Sequence, residues 1–185
     1  MCIRDRLTAC KHGNGRDWWF HVFDADTVYT YIVDPDGLRL SHTQILPVAL
    51  DQSLGQAKYS PDGSKFAIYS VFVRNSKNWS ELFISNFDRC SGYFSNIKYE
   101  ASDDDANELG QLGNGIEFSP NGMFIYTNTS STIYQYDIEE ESIFQSKQII
   151  AERGEEECDV LGRTIFFGQM HLGPDKKIYL SLIHI

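Results

Sequence analysis

A short unit that occurs three times constrains the fold of this chain more than any other feature of the sequence. In residues 115–138 it reads Gly-Ile-Glu-Phe-Ser-Pro-Asn-Gly, followed by two runs rich in Ile, Phe, Tyr and Thr, which suit β-strands. Pro sets φ for the first central position of a tight turn, and Gly supplies the positive φ that follows. Related units occupy residues 56–70 and 169–181, so the turn prolines lie 120 − 61 = 59 and 174 − 120 = 54 residues apart. A repeat of this length has room for four strands and predicts the blades of a β-propeller.

The sequence therefore predicts an all-β fold, a β-propeller fragment of about three and a half four-stranded antiparallel blades. An Asn-Gly pair at residues 14–15 adds a hairpin signal inside the first blade. A polar loop is expected at residues 74–79, between the second and third strands of the second blade. The expected blades are residues 7–50, 54–100, 113–152 and 167–180, the last of them incomplete.

Both ends of the chain look foreign to the repeat. Residues 1–6 and 181–185 resemble translated sequencing-adapter DNA, and neither carries an element that would cap a repeat fold. We therefore expect residues 7–180 to be the native part of the chain, and a fragment of a longer propeller.

Charge and motif content restrict the classes of function. The formal net charge of −10 disfavours nucleic acid as a partner, because phosphate groups repel an acidic surface. No apolar run approaches the roughly 18 residues of a spanning helix, so no membrane insertion of this fragment is expected. The sequence also lacks a nucleophile elbow, a phosphate-binding loop and metal-ligand spacing among its histidines. We therefore expect no catalytic residue, no metal and no cofactor.

Several motifs resemble those of secreted bacterial propellers. The Ser-Pro-Asp-Gly turn at residues 60–63 is similar to the repeat of TolB-like and peptidase-associated propellers. More specifically, residues 11–19 (KHGNGRDWW) resemble a signature of secreted propellers that carry a gliding-motility-associated C-terminal domain, a type IX sorting domain. Residues 87–92, 115–120 and 167–169 fit the same group. The resemblance implies a protein that is secreted or located at the cell surface.

The function expected from these observations is that of a non-catalytic binding or scaffold propeller. Nothing in the sequence supplies a nucleophile or a metal cluster, and propellers commonly serve as interaction platforms. Two alternatives stay open. One is a propeller enzyme of the lactonase or lyase kind with a metal on the central axis. The other, implied by the TolB-like resemblance, is a substrate-gating propeller of a hydrolase, and fold analogy alone does not choose among the three.

The first candidate site lies on the innermost strands, where the copies are aligned by their turns. Four polar residues then share one position and are expected to line the central channel in sequence order: Lys11, Lys58, Glu117 and His171. Two interpretations stay open. These residues bridge adjacent blades through a pair between Lys58 and Glu117, or Glu117 and His171 hold a water, an ion or a ligand on the axis.

The second candidate site is the rim that carries the long loops between blades. Variable loops on a rigid scaffold are where binding commonly resides, so an unknown protein or glycan partner is expected there. The acidic residues of this rim are Asp103, Asp104, Asp105, Glu108, Glu155, Glu156 and Glu157. A solvated loop is favoured over a Ca²⁺ site, because the stretch lacks the fixed ligand spacing and turn Gly of a calcium loop.

Two further expectations concern Cys and Trp residues. Cys90 and Cys158 are expected on opposite faces of the propeller, beyond the roughly 7 Å Cα separation that a disulfide tolerates. Of the neighbours Trp18 and Trp19, one is expected to pack between blades in preference to forming an aromatic binding edge.

Overall fold

In a computed structural model, the described residues (7–51, 54–103, 115–154 and 165–184) form antiparallel sheets in which each strand pairs with the next along the chain. Blade 1 contains β1 (Ala9–Lys11), β2 (Trp18–Asp24), β3 (Thr27–Asp34) and β4 (Gly37–Ile45). Blade 2 contains β5 (Leu54–Tyr59), β6 (Lys65–Arg74), β7 (Lys77–Phe87) and β8 (Phe94–Ser102). Blade 3 contains β9 (Ile116–Phe118), β10 (Phe124–Asn128), β11 (Thr132–Asp137) and β12 (Gln148–Glu152), and blade 4 contains β13 (Ile165–Leu172) and β14 (Ile178–His184). The prediction of an all-β propeller fragment is confirmed.

Two local features differ from the predicted elements or extend beyond them. The polar loop expected at residues 74–79 is a two-residue turn at Asn75 and Ser76, whose positive φ angles of 52° and 59° suit a tight hairpin. The flanking strands therefore stay paired up to the turn. Residues 181–184, which were expected to be foreign, continue β14. No helix in the described ranges is long and apolar enough to cross a membrane.

The first two strands of every blade are joined by the same hydrogen-bonded turn. The donor and acceptor residues of its backbone hydrogen bond are Gly15 and His12 (2.9 Å), Gly63 and Ser60 (2.8 Å), Gly122 and Ser119 (2.9 Å), and Lys176 and Gly173 (3.0 Å). The three glycine donors have φ of 75°, 73° and 69°, in the left-handed region that glycine adopts without a steric cost. Lys176 adopts a φ of 63° at the equivalent position despite its Cβ atom.

These turns correct the alignment behind one predicted site residue. The residue two places before the turn acceptor is Cys10 in blade 1, Lys58 in blade 2, Glu117 in blade 3 and His171 in blade 4, and we name these four the inner row. Lys11 is instead equivalent to Tyr59. Its prediction as the blade 1 member of the row is wrong, because matching two lysines shifted blade 1 by one residue. Side chains alternate along a strand, so this shift places Lys11 on the opposite face of the blade.

Blade 2 is buried on both faces between its neighbours. On β6, Phe66 and Ile68 belong to the core shared with blade 1, whereas Ala67 and Tyr69 belong to the core shared with blade 3. All four side chains are at most 1% exposed. Phe23 of blade 1 stacks on Phe66 with ring centroids 5.2 Å apart. Because successive side chains point to opposite faces of a strand, the apolar run of β6 contributes to both blade interfaces.

The interface between blades 1 and 2 also contains Trp19. Its side chain is buried, and its indole Nε1–H donates to the carbonyl oxygen of Arg89 at 2.8 Å. The neighbouring Trp18 lies on the opposite face of β2 and is 45% exposed. The prediction that one of the two tryptophans packs between blades is confirmed.

Gln56 joins the first strands of three blades. Its Oε1 accepts hydrogen bonds from the N–H groups of Ile116 (2.9 Å) and Met170 (3.2 Å), and its Nε2 donates to the carbonyl oxygen of Met170 (3.0 Å). These residues lie on β5, β9 and β13. One buried amide thus connects blades 2, 3 and 4 at their innermost strands.

His21 is a titratable group inside the interface between blades 1 and 2. It is fully buried, its Nδ1 lies 2.7 Å from the hydroxyl of Tyr59, and the rings of Phe87 and Phe94 meet it edge-on. Burial and, to a smaller extent, the nearby charge of His42 together lower the pKa of His21 to about 3. The folded state therefore holds this imidazole neutral.

Replacing Gln56 with Met tests the connection between the three inner strands. The substitution keeps the length of the side chain but leaves two N–H groups and one carbonyl oxygen without their partner. Since each unsatisfied buried group costs about 1–3 kcal/mol, Gln56→Met should lower the free energy of unfolding in urea by about 3 kcal/mol. The exposed Gln148→Met is the matched control, and equal stability of the two variants would contradict this role of Gln56.

Replacing Lys176 with Gly tests the shared turn. A residue with a Cβ atom at this φ carries backbone strain, so Lys176→Gly should raise the free energy of unfolding by about 0.5–1 kcal/mol. The reverse change at the equivalent site, Gly63→Ala, should destabilise, because its Cβ would lie 2.8 Å from Cys10 Sγ and 2.9 Å from Arg89 Cδ. Thermal unfolding of both variants checks these opposite signs.

His21 should make stability depend on pH. Its pKa is about 3 in the folded chain and 6.5 for the unperturbed group, so only the unfolded state binds this proton between those values. Unfolding free energy should therefore fall as pH drops below about 6.5, by up to about 1.4 kcal/mol per pH unit from this residue. Urea titrations at several pH values should show a smaller slope of unfolding free energy against pH for His21→Gln than for the parent chain. Equal slopes for the parent chain and His21→Gln would refute the assignment.

Candidate functional site

Three members of the inner row contact one another through their side chains. Lys58 Nζ lies 3.2 Å from Glu117 Oε2 and 2.8 Å from His171 Nδ1. His171 Nδ1 lies 4.0 Å from the same carboxylate oxygen. The residues come from β5, β9 and β13 at equivalent places in blades 2, 3 and 4. We name Lys58, Glu117 and His171 the axial cluster.

Glu117 is the buried anchor of the axial cluster, with its side chain 5% exposed. Its Oε1 accepts from the N–H of Phe118 at 2.9 Å, and its Oε2 accepts from the N–H of Leu172 at 2.9 Å as well as from Lys58. A carboxylate held by backbone donors in two blades has a fixed position. It therefore fixes the ammonium of Lys58 beside the axis.

The donors around Glu117 do not fit a metal ion. Both carboxylate oxygens accept hydrogen bonds, and the ammonium of Lys58 occupies the space beside Oε2 that a cation would need. In the described ranges, no group of three or more His, Cys, Asp or Glu side chains is placed to hold a metal. The axial cluster therefore does not fit a bound metal ion.

Lys58 and His171 are the members of the cluster that a ligand can reach. The Lys58 side chain is 16% exposed and the His171 side chain is 80% exposed. An ammonium group has three N–H donors and no acceptor, so Nδ1 of His171 is the acceptor in their contact. The imidazole is then neutral with its proton on Nε2, and the third N–H of Lys58 can donate to a ligand.

A cavity of about 440 Å³ opens beside these two side chains. Its lining includes Gln56, Lys58, Gln169, Met170, His171 and Tyr179. The volume lies in the range that small-molecule ligands occupy. Gln56 and Gln169 also share one place in the repeat, two residues before the inner row, and sequence reasoning missed both. The recurrence of Gln at that place was the signal that could have found them.

The structure does not bring the blade 1 residues to the axial cluster. The thiol of Cys10 is buried and donates to the carbonyl oxygen of Gly63 at a sulfur–oxygen distance of 3.8 Å. Burial raises the pKa of this thiol to about 11, so it stays protonated at neutral pH. Lys11 lies at the surface, and its carbonyl oxygen accepts from Arg89 Nε at 2.9 Å.

The described part of the acidic rim is mixed in charge. Asp103 Oδ2 lies 2.6 Å from Lys77 Nζ, and this contact lowers the pKa of the carboxyl group. On the neighbouring strand, the guanidinium of Arg74 lies 5.1 Å from the ring centre of Phe72 and 5.9 Å from that of Trp79. The other six residues predicted for this rim lie outside the described residues: Asp104, Asp105, Glu108, Glu155, Glu156 and Glu157.

Two expectations stay predictions because they concern residues outside the described ranges. The protein or glycan partner at the acidic rim stays a prediction, because most of the residues assigned to that site are outside the described ranges. The absence of a disulfide between Cys90 and Cys158 also stays a prediction, since Cys158 lies outside them as well.

The chain is similar in structure to several solved proteins. It matches a protein from Bacteroides uniformis assigned as a 6-phosphogluconolactonase with a TM-score of 0.56 and 14% identity, over 95% of this chain and 47% of that one. It matches the hydrazine synthase of Kuenenia stuttgartiensis (TM-score 0.55, 15% identity) over 95% of this chain and 56% of that one. It matches the periplasmic gluconolactonase of Pseudomonas aeruginosa (TM-score 0.51, 12% identity) over 95% of this chain and 49% of that one. No family model and no curated protein matches.

These comparisons correct the main functional prediction. A non-catalytic scaffold was expected, but two of the three structures are named as lactonases, which favours the alternative of a propeller lactonase. None of the three is named as a gliding-motility protein, so that finer resemblance stays a prediction. The chain spans about half the length of the structures that it matches. What the likeness itself shows at this level of identity is the fold, that of a β-propeller.

Proposed function

We propose that the axial cluster belongs to the active site of a propeller hydrolase that opens sugar lactones. The observation that carries the proposal is the contact of Lys58 with both Glu117 and His171 beside a cavity of about 440 Å³. The cluster supplies a cation, a neutral imidazole and a buried carboxylate within one hydrogen-bonded group. The names of two structural neighbours, a 6-phosphogluconolactonase and a gluconolactonase, support lactones as the substrate class.

The residues of the cluster have distinct roles in the proposed reaction. Water adds to the carbonyl carbon of the lactone, and the carbonyl oxygen gains negative charge, which the ammonium of Lys58 stabilises. When Lys58 turns to that oxygen, Nδ1 of His171 is free to accept the proton of the attacking water. The ring C–O bond then breaks, and the imidazolium returns the proton to the leaving oxygen. Glu117 is a positioning residue, because it holds Lys58 and contacts no substrate.

Substitution of His171 tests the proposal directly. A general base contributes about 10²–10⁴ in rate, so His171→Gln should lower kcat/KM for gluconic acid δ-lactone at least about 100-fold. Because this side chain is 80% exposed, urea unfolding of the variant should match that of the parent chain. Release of acid, followed in a pH-stat above the uncatalysed rate, measures the activity.

Lys58→Met should cause a comparable loss of activity, and Lys65→Met is its matched control. Lys65 forms a surface ion pair with Glu139 at 3.1 Å, away from the axial cluster. This control should keep kcat/KM within about twofold of the parent value, as surface ion pairs contribute little. A parent chain without lactonase activity, or full activity in both His171→Gln and Lys58→Met, would show that the proposal is wrong.

We also propose that the protein acts outside the cytoplasm, in the cell envelope or beyond it. The proposal is supported by the similarity of residues 11–19 to the signature of secreted gliding-motility-associated propellers, and by a neighbour that is named as periplasmic. Fractionation of cells that express the protein natively, probed with an antibody to this chain, tests it. Recovery in the cytoplasmic fraction alone would contradict it.

A further inference from the structure

Three neighbouring side chains of blade 1 carry buried polar atoms that have no hydrogen-bond partner among the described residues. These atoms are Nε2 of His21 on β2, Oγ1 of Thr30 on β3 and Nε2 of His42 on β4. His21 and Thr30 are 0% exposed. Nearly all buried polar atoms of native proteins bind another protein group or an ordered water, so three neighbouring exceptions indicate a missing partner. We name His21, Thr30 and His42 the polar row.

The strand pairing places the members of the polar row directly beside one another. His21 pairs with Thr30, and Thr30 pairs with His42. Residues that lie directly opposite each other in an antiparallel sheet share a face, with Cβ atoms about 4.5–5.5 Å apart. Blade 2 packs on this face, because Phe94 meets the ring of His21 edge-on and Tyr93 stacks on His42 at 4.1 Å. The polar row is therefore enclosed between two blades.

Contacts of the other ring nitrogens indicate which atoms of the row donate. Burial lowers the pKa of both histidines, so both rings are neutral at pH 7 and each carries one N–H. The hydroxyl of Tyr59 lies 2.7 Å from Nδ1 of His21, and with Nδ1 as its acceptor, Nε2 carries the proton. Nδ1 of His42 lies 3.2 Å from Oγ of Ser41 and can donate to it, which leaves Nε2 as an acceptor.

We propose that the polar row binds one buried water molecule between blades 1 and 2. The water accepts hydrogen bonds from Nε2–H of His21 and from the hydroxyl of Thr30, and it donates to Nε2 of His42. Three hydrogen bonds are the number that a buried water typically makes. A cation would be repelled by the N–H of His21, and a proton-free anion would offer no donor to His42. Water fits because it both donates and accepts.

This site lies outside the proposed active site. The axial cluster joins blades 2, 3 and 4, whereas the polar row lies between blades 1 and 2. The water would complement Gln44, whose amide binds both the N–H and the carbonyl oxygen of Phe94 across the same interface. A test of the water site needs no lactonase assay, so its failure is distinct from failure of the proposed function.

Replacing Thr30 with Val distinguishes a hydrated polar row from a dry one. Val has a similar shape but no hydroxyl group. In a dry interface, the change would remove an unsatisfied buried group, so stability would stay the same or rise. In a hydrated one, the water loses a partner, and Thr30→Val should raise the equilibrium constant of unfolding in urea at least about fivefold. An equal or smaller constant than that of the parent chain would contradict the proposal.

Thr127→Val is the matched control. Thr127 is also 0% exposed on a strand, and its hydroxyl has no hydrogen-bond partner in the part of the chain that the structure describes. Its cross-strand neighbours are Ile116 and Tyr134, so no imidazole nitrogen lies next to it in the sheet. This variant should lose no stability. An equal loss in both variants would count against the water, because the exchange of Thr for Val would then explain it.

Oxygen-17 relaxation dispersion of the solvent detects the water itself. The signal reports long-lived water oxygens and not the exchange of hydroxyl or imidazole protons. Thr30→Val should lose the contribution of one long-lived water relative to the parent chain, and Thr127→Val should keep it. In a crystal structure of the parent chain, a density peak should lie within about 3.2 Å of all three atoms of the polar row. Equal dispersion for the parent chain and Thr30→Val, or no such peak, would overturn the inference.

Discussion

The packing of blade on blade is the constraint on which the rest of this structure depends. A four-stranded sheet with two apolar faces is stable in water only when both faces are covered, and blade 2 meets that condition between blades 1 and 3. Its strand β6 alternates Phe66 and Ile68 on one side with Ala67 and Tyr69 on the other. A slip of one residue would exchange the two sets and spoil both interfaces, so the register is strongly specified.

Polar residues on the innermost strands accept hydrogen bonds from backbone N–H groups that blade packing buries. Where first strands converge, backbone N–H groups of one blade face the next blade and need acceptors. Gln56 and Glu117 supply them, to Ile116 and Leu172 respectively. The anchor of the candidate active site is thus also a structural link between blades. This dual use places Glu117 between blades 3 and 4, where its side chain is 5% exposed.

Much of the fold could be predicted because its signals are local. The Pro-Asp-Gly and Pro-Asn-Gly turns act over a few residues, and the strand alternation acts over one element, so the blades follow from the sequence. The prediction of a loop at residues 74–79 was wrong because polar residues also occupy exposed hairpin strands. Residue type alone does not distinguish such a strand from a loop. The alignment of Lys11 with Lys58 was wrong because it matched two residues of the same type. The hydrogen bonds of the turns instead make Lys11 equivalent to Tyr59.

What the sequence by itself determined is the repeat: the turns, the strands, the number of blades in the chain and the inner-row places of Lys58, Glu117 and His171. The sequence left open whether Lys58 pairs with Glu117 or Glu117 and His171 hold a ligand, and only the tertiary structure decided that all three side chains meet around one ammonium group. Their contact spans residues that lie far apart along the chain and depends on the rotation of each blade against the next. The tertiary structure also places the thiol of Cys10 against the carbonyl oxygen of Gly63, away from the axial cluster. Such contacts arise from packing between sheets, which no local pattern encodes.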